Sequence, residues 1–236
     1  MIFAAGLGTR LKEETQNKPK ALVEVGGKPL LQHAIEKLKT EGFTEIVVNV
    51  HHFSKMVIEF VNSNDFGIPV HISDETDKLL DTGGGLKKAA PLLEGNKPIL
   101  IYNVDILGNL DLQKPIEEHL QSGALATLVV RHRQTQRYFK FDKEKRLVGW
   151  INKKTGEKKA AIPENFENAT EMAFSGIHVI SPEIFKLMPD VDRFSITNFY
   201  LERANSHFIR GYFDDSDIWM DVGKPDELER ARSVFG

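Results

Sequence analysis

Short apolar strands alternating with amphipathic helices predict an α/β fold built on a largely parallel sheet with helices on both faces. Two further observations support this class. The β-branched runs are short and bounded by polar residues, as buried strands are. Glycines or lone carboxylates follow directly on several strand ends, where sheets of this kind bind ligands. A chain of 236 residues is long for one average domain and short for two. One domain over 1–236 is therefore expected, with a modest elaboration.

The elements follow in order. Ile2 to Ala5 reads as the end of a buried strand. Leu30, Leu31, Ala34, Ile35 and Leu38 share one helical face, and Gly42 follows as a C-terminal stop. Ile46 to Val50 is a buried strand. Met56, Val57, Phe60 and Val61 mark a second helix with Ser54 as N-cap. Val70 to Ile72 is a short strand, and a helix is expected after Gly85, through Leu86, Ala89 and Ala90 to the region of Pro91. Ile99 to Tyr102 is a strand that ends at Asn103-Val104-Asp105, Pro115 suits the first turn of a helix, and Ala126 to Val130 is again a strand. The texture changes after Arg131. Tyr138, Phe139 and Phe141 suggest a strand, and Lys143 to Lys159 is lysine-rich, so about 131–172 reads as a small, β-rich insertion rather than a second domain. Ala173 to Ile180 is a strand, Ser181-Pro182 opens a helix, and Pro225 opens the last one. The Gly6 loop, the His51 region and Asp105 all sit at strand ends, hence on one rim.

Composition narrows the function classes. The chain has no cysteine, which excludes disulfides, thiolate metal sites and cysteine nucleophiles. A net charge of −3 offers no global field for nucleic acid or anionic membrane. No apolar run approaches the roughly 20 residues of a membrane span, and no basic leader precedes the first motif. The expected compartment is the cytoplasm. None of the eight histidines shows metal-ligand spacing, and Asp214-Asp215-Ser216-Asp217 reads as a solvated acidic turn.

The first motif is Ala4-Ala5-Gly6-Leu7-Gly8-Thr9-Arg10-Leu11. Taken alone, its glycines form either a tight turn or a loop whose backbone N–H groups approach phosphate without an intervening Cβ. It lacks the third glycine of a dinucleotide loop, the strand at Ile46 ends without an acid for a ribose, and the P-loop pattern is absent. Arg10 and the following Lys18-Pro19-Lys20 supply cations suited to a polyphosphate. Asp81-Thr82-Gly83-Gly84-Gly85 is either a flexible turn before a helix or a backbone that something must approach closely. Asp105, directly after an apolar strand, is either a cap for the next loop or a metal ligand.

Gly6-Leu7-Gly8-Thr9-Arg10 followed by Lys18-Pro19-Lys20-Ala21-Leu22-Val23 resembles the signature of the sugar-1-phosphate nucleotidyltransferases. The resemblance runs from the Gly6 loop to Pro225. It implies a Rossmann-like fold with a mixed, mostly parallel sheet, and an enzyme that joins an NTP to a sugar 1-phosphate with release of pyrophosphate. It implies that Ala4, Ala5, Gly6, Gly8, Thr9, Thr82, Gly83 and Gly84 bind the nucleotide. Arg10 then holds the β- and γ-phosphates, Lys20 lies at the reacting centre, and Asp105 and Asp221 hold Mg²⁺. Glu171, Gly176 and Lys153 face the sugar phosphate. The Thr82-Gly83-Gly84-Gly85 form resembles uridylyltransferases acting on N-acetylmuramic acid 1-phosphate, which tilts the base to uracil; a guanylyltransferase for mannose 1-phosphate and a cytidylyltransferase for phosphocholine are the alternatives. Two departures stand out: Lys12-Glu13 replaces a common proline, which is expected to alter the loop's rigidity, and Asn152-Lys153-Lys154 replaces a glutamate-lysine-proline stretch. Outside this family, a metal-dependent glycosyltransferase or a non-catalytic nucleotide-binding module would use similar parts.

Overall fold

The computed structural model of the protein describes residues 1–235; Gly236, the last residue of the expected domain, and the side chain of Lys12 lie outside the described residues. The strands are β1 (Ile2–Phe3), β2 (Glu24–Val25), β3 (Lys28–Pro29), β4 (Ile46–Val50), β5 (Val70–Asp74), β6 (Ile99–Asn103), β7 (Ile106–Gly108), β8 (Ala126–Arg131), β9 (Arg137–Phe141), β10 (Leu147–Asn152), β11 (Lys158–Ala160), β12 (Thr170–Ile180), β13 (Ile209–Phe213) and β14 (Trp219–Asp221). The α-helices are α1 (Leu30–Thr40), α2 (Ser54–Ser63), α3 (Asp81–Ala89), α4 (Gln113–Ser122), α5 (Pro163–Phe166), α6 (Ile196–Arg203) and α7 (Pro225–Phe235).

The main sheet runs β11-β10-β9-β12-β6-β1-β4-β5, with β8 joining β12 to β13. Strands β6, β1, β4 and β5 are parallel neighbours, as the strand–helix alternation predicts. Antiparallel β12 joins this block to β9, so the sheet is mixed. The lysine-rich segment supplies β10 and most of β11, which with β9 form a meander that continues the same sheet.

Residues of β4 alternate between two cores, as a strand's period of two requires. Ile46, Val48 and Val50 pack with α1 residues Leu31 and Ile35. Val47 faces the opposite core, with Leu86 of α3 and Phe199 and Tyr200 of α6.

Helix α1 ends as its sequence indicates. Gly42 adopts φ 87°, its N–H donates to the Lys39 carbonyl, and the Phe43 N–H donates to the Leu38 carbonyl. This is a Schellman stop, which satisfies two orphan carbonyls.

Three local expectations are corrected. Ser54 is the first residue of α2 rather than its cap; Phe53 precedes it with φ 52°, and the Ser54 hydroxyl accepts from Thr76 instead. Helix α3 begins at Asp81, so Gly83, Gly84 and Gly85 lie inside it and are buried. The reason is crowding. A Cβ on Gly83 would strike the Phe194 ring, one on Gly84 the Asp192 carbonyl, and one on Gly85 would come within 2.5 Å of Glu75 Oε1. Finally, Asp214 is not solvated: it is 6% exposed and pairs with Arg131 at 3.1 Å.

Candidate active site

Strand β1 stops after Phe3, whose neighbours in register are Asn49 on β4 and Asn103 on β6. The chain then emerges between two strand ends as Ala4-Ala5-Gly6. These residues floor a cleft of about 310 Å³, with Lys20, Asn103 and Asp105 at one end and Glu75, Asp81, Thr82 and Arg193 at the other.

Gly8 takes φ 66°, and a Cβ there would meet Thr15 Cγ2 at 3.0 Å and Lys20 Cβ at 3.1 Å, so both conformation and space favour glycine. The Leu11 N–H and the Thr15 hydroxyl both donate to the Gly8 carbonyl, closing the turn. Thr9 and Arg10 begin the 3₁₀ helix that follows. Gly6 differs from Gly8: a Cβ there would meet nothing within 4 Å. Its openness leaves the backbone accessible to a ligand rather than serving internal packing.

Asp105 follows β6 and is 8% exposed. Lys20, delivered by a short 3₁₀ helix after Pro19, is ion-paired with it. Burial pushes the Asp105 carboxyl upward, but the charge and hydrogen bond of Lys20 outweigh it and hold the group below the usual range. Asp221 reaches the same place because β14 pairs antiparallel with β7, and the Val222 N–H donates to the Asp105 carbonyl at 2.8 Å. Burial, and next the Asp105 charge, push the Asp221 carboxyl upward. Asp221 Oδ1 is buried without a hydrogen-bond partner. Two crowded carboxylates with an orphaned oxygen are donors suited to a divalent cation that takes its other ligands from phosphate and water. Among the described residues no group of three or more His, Asp or Glu forms a fuller cage. Gly223 makes room here, since a Cβ on it would lie 2.6 Å from both Arg10 Nη2 and Asp221 Oδ1.

At the other end sits Glu75, which was not singled out from the sequence. It is 1% exposed. Burial raises its pKa, and the Asn49 hydrogen bond opposes that shift. Asn49 Nδ2 donates to Glu75 Oε1 at 2.6 Å, while its Oδ1 accepts from the Ala4 N–H at 2.8 Å. One amide thus ties the loop entrance to the carboxyl. The available signal was an asparagine within an otherwise apolar strand. Arg193 was also missed. It reaches the cleft because its segment packs on α3: the Gly83 N–H donates to the Phe194 carbonyl at 2.9 Å, and the Ile196 N–H to Thr82 Oγ1 at 3.0 Å.

Of the residues expected from the sequence, Ala4, Ala5, Gly6, Lys20, Thr82 and Asp105 line the cleft. Gly83 and Gly84 form the packing that places Thr82. Gly176 adopts φ 79° beside Asn103 at an irregularity of β12 between Phe174 and His178. Lys153 and Glu171 are brought together as a half-exposed ion pair of 2.7 Å, away from the cleft wall.

Comparison with known proteins accords with this geometry. The family model described as "Nucleotidyl transferase" matches residues 1–234. The chain belongs to that family. The nucleotidyl transferase resemblance carried by Gly6 to Arg10 and Lys18 to Val23 is thereby confirmed. The chain is 31% identical over 234 residues to the N-acetylmuramate alpha-1-phosphate uridylyltransferase of Caulobacter vibrioides, covering 95% of this chain and 91% of that one. It is 29% identical over 240 residues to the mannose-1-phosphate guanyltransferase of Yarrowia lipolytica, covering all of this chain and 63% of that enzyme. The crystal structure of HddC from Yersinia pseudotuberculosis shares the fold, with a TM-score of 0.80 at 24% identity over 100% of this chain and 98% of that one. This nucleotidyl transferase is thus an enzyme of the sugar-1-phosphate nucleotidyltransferase class. Among the described residues no helix is long and apolar enough to cross a membrane.

Proposed function

We propose that the protein condenses a sugar 1-phosphate with an NTP, UTP in preference, to give an NDP-sugar and pyrophosphate in the cytoplasm. The observation that carries this reading is the Lys20–Asp105–Asp221 cluster at the end of a cleft floored by an open glycine loop. No protein nucleophile is required, because the sugar phosphate is itself anionic. Catalysis then rests on positioning and charge neutralisation. The backbone of Ala4 to Thr9 cradles the triphosphate. Arg10 holds the β- and γ-phosphates and the charge that develops on the leaving pyrophosphate. Lys20, paired with Asp105 in this structure, turns to the phosphate at the reacting centre. Asp105 and Asp221 would hold Mg²⁺, which when bound would supply Lewis-acid polarisation and a template for the phosphates. Thr82 and the Gly83-Gly84 packing behind it shape the nucleobase end. The sugar half belongs to Gly176, Glu171 and Lys153, within one domain of which about 131–172 is the sugar-side elaboration.

The uracil preference rests on the Thr82–Gly85 form and on the uridylyltransferase relative; the guanyltransferase relative supports GTP as the second reading. The test is pyrophosphate release with Mg²⁺ from UTP, GTP, CTP, dTTP and ATP against a panel of sugar 1-phosphates including N-acetylmuramic acid 1-phosphate. Release with UTP and one sugar phosphate is expected. Release with GTP alone would replace the base assignment, and silence from folded, metal-loaded protein would overturn the reaction.

A further inference from the structure

Near Asp221, and not among the residues that line the cleft, another cation is fixed in place. Arg133 lies two residues past the end of β8. Its guanidinium carbon sits 4.5 Å from the centre of the Trp219 ring, a cation–π distance. One terminal nitrogen donates to the Phe174 carbonyl at 3.0 Å. Trp219 is pinned in turn, with its indole N–H donating to the Ser175 carbonyl at 3.0 Å. The guanidinium is therefore oriented by the irregular stretch of β12 and by β14, the two segments that also present Gly176 and Asp221.

Its hydrogen bonding is incomplete. Nε is buried without a partner, and among the described residues Arg133 forms no ion pair. Its neighbour Arg131, also over the Trp219 ring at 5.6 Å, differs in this respect. Arg131 is committed to Asp214 at 3.1 Å and to the Ser216 carbonyl at 2.8 Å. Burial pulls the Arg133 pKa down, and Asp221 is the strongest charge opposing that shift. A planar, pre-oriented guanidinium with donors to spare is a receptor for an oxyanion.

We propose that Arg133 binds an oxyanion of the incoming sugar 1-phosphate beside the Trp219 ring. The inference rests on the nucleotidyltransferase reading and adds to it the anchor of the acceptor half. Two groups of the acceptor offer the required chemistry: its phosphate, or a carboxylate carried by the sugar.

The two tryptophans allow a test that does not depend on turnover. A W150F background leaves Trp219 as the sole indole, stacked on the residue in question. Its emission is titrated with glucose 1-phosphate and with N-acetylmuramic acid 1-phosphate, each with and without a non-hydrolysable UTP analogue. The KM values for both substrates are measured in parallel. Arg133→Met should weaken the sugar phosphate by about tenfold or more in both readouts, leave the NTP unchanged, and be partly rescued by Arg133→Lys. Loss with both sugars identifies the phosphate as the bound group; loss with the muramic acid alone identifies the carboxylate. Unchanged sugar-phosphate affinity with a lowered melting temperature would make Arg133 a strap for β12 and overturn the proposal. So would a change in the NTP alone. If the wild-type protein releases no pyrophosphate, the reaction reading fails separately. The titration still decides: Arg133-dependent binding upholds the receptor, and its absence removes it.

Discussion

The proposed nucleotide end and the proposed sugar end of the rim are assembled by different means. At the nucleotide end, a single run from Ala4 to Lys20 supplies floor, turn and cations, and parallel strands place it between Asn49 and Asn103. At the sugar end, no run does this. Gly176 comes from β12, Asp221 and Trp219 from β14, and Arg133 from the segment after β8; long-range pairing alone unites them. A site made from one contiguous loop depends on local backbone freedom. A site made from scattered segments depends on the integrity of the sheet.

Asp105 is where the two ends meet, so its loss should have the largest effect on activity. Asp105→Asn leaves shape intact but removes one of the two proposed cation donors and the partner of Lys20. Turnover should fall by roughly 10³-fold, the scale of losing a major electrostatic contributor, with the melting temperature nearly unchanged. Normal turnover with Mg²⁺ would remove Asp105 from the mechanism.

Acid should act on the sheet before the loop. His178 lies in β12, bonded to the Tyr200 hydroxyl at 2.6 Å, and burial pulls its pKa down to about 3. Burial likewise brings His119, held between Thr127 and Ser181, to about 4. In the unfolded chain both titrate near 6.5. Below that pH the unfolded state takes up protons that the folded state refuses. Stability is thus intact above about pH 6.5 and decreases towards pH 4 and 3, by up to roughly 1.4 kcal/mol per pH unit for each histidine. Urea unfolding at pH 7 and pH 5 should show this loss, and His119→Gln should reduce the slope. A flat profile would mean that neither histidine is buried and neutral.

The glycines separate the two modes of construction more finely. Gly84→Ala drives a methyl into the Asp192 carbonyl and should destabilise by about 1–3 kcal/mol, as overpacking does. Gly6→Ala meets open space, so it should leave the melting temperature alone and raise the KM for the NTP. Equal destabilisation by both would erase the distinction. The smallest effect is expected at Lys153→Met. Its half-exposed pair with Glu171 should contribute under about 1 kcal/mol, so thermal stability should barely change.

The local structure of the proposed nucleotide end was legible in the sequence because its signals are local. The β-branched run Ile46–Val50, buried throughout, the stop at Gly42 and the Gly6–Arg10 turn each require only a few neighbouring residues. Helix α6 and strand β13 were not recognised. The Ile209–Phe213 segment carries an arginine and a glycine, and its strand character comes from parallel pairing with β8, which no local pattern records. The boundary of α3 was misplaced for a related reason: three glycines resemble a loop until Phe194 and Asp192 are known to lie against them. Glu75 looked like one acid among several until Asn49 was seen to link it to Ala4.

The two ends are proposed to act on one phosphorus atom. The direct measurement is transfer of label from α-labelled UTP, or the NTP found to be active, with a sugar 1-phosphate present and absent. The predicted result is label in a nucleotide-sugar, unlabelled pyrophosphate, and no reaction without the sugar phosphate. Pyrophosphate release that proceeds at the same rate without the sugar phosphate, or label left on free nucleotide, would contradict it.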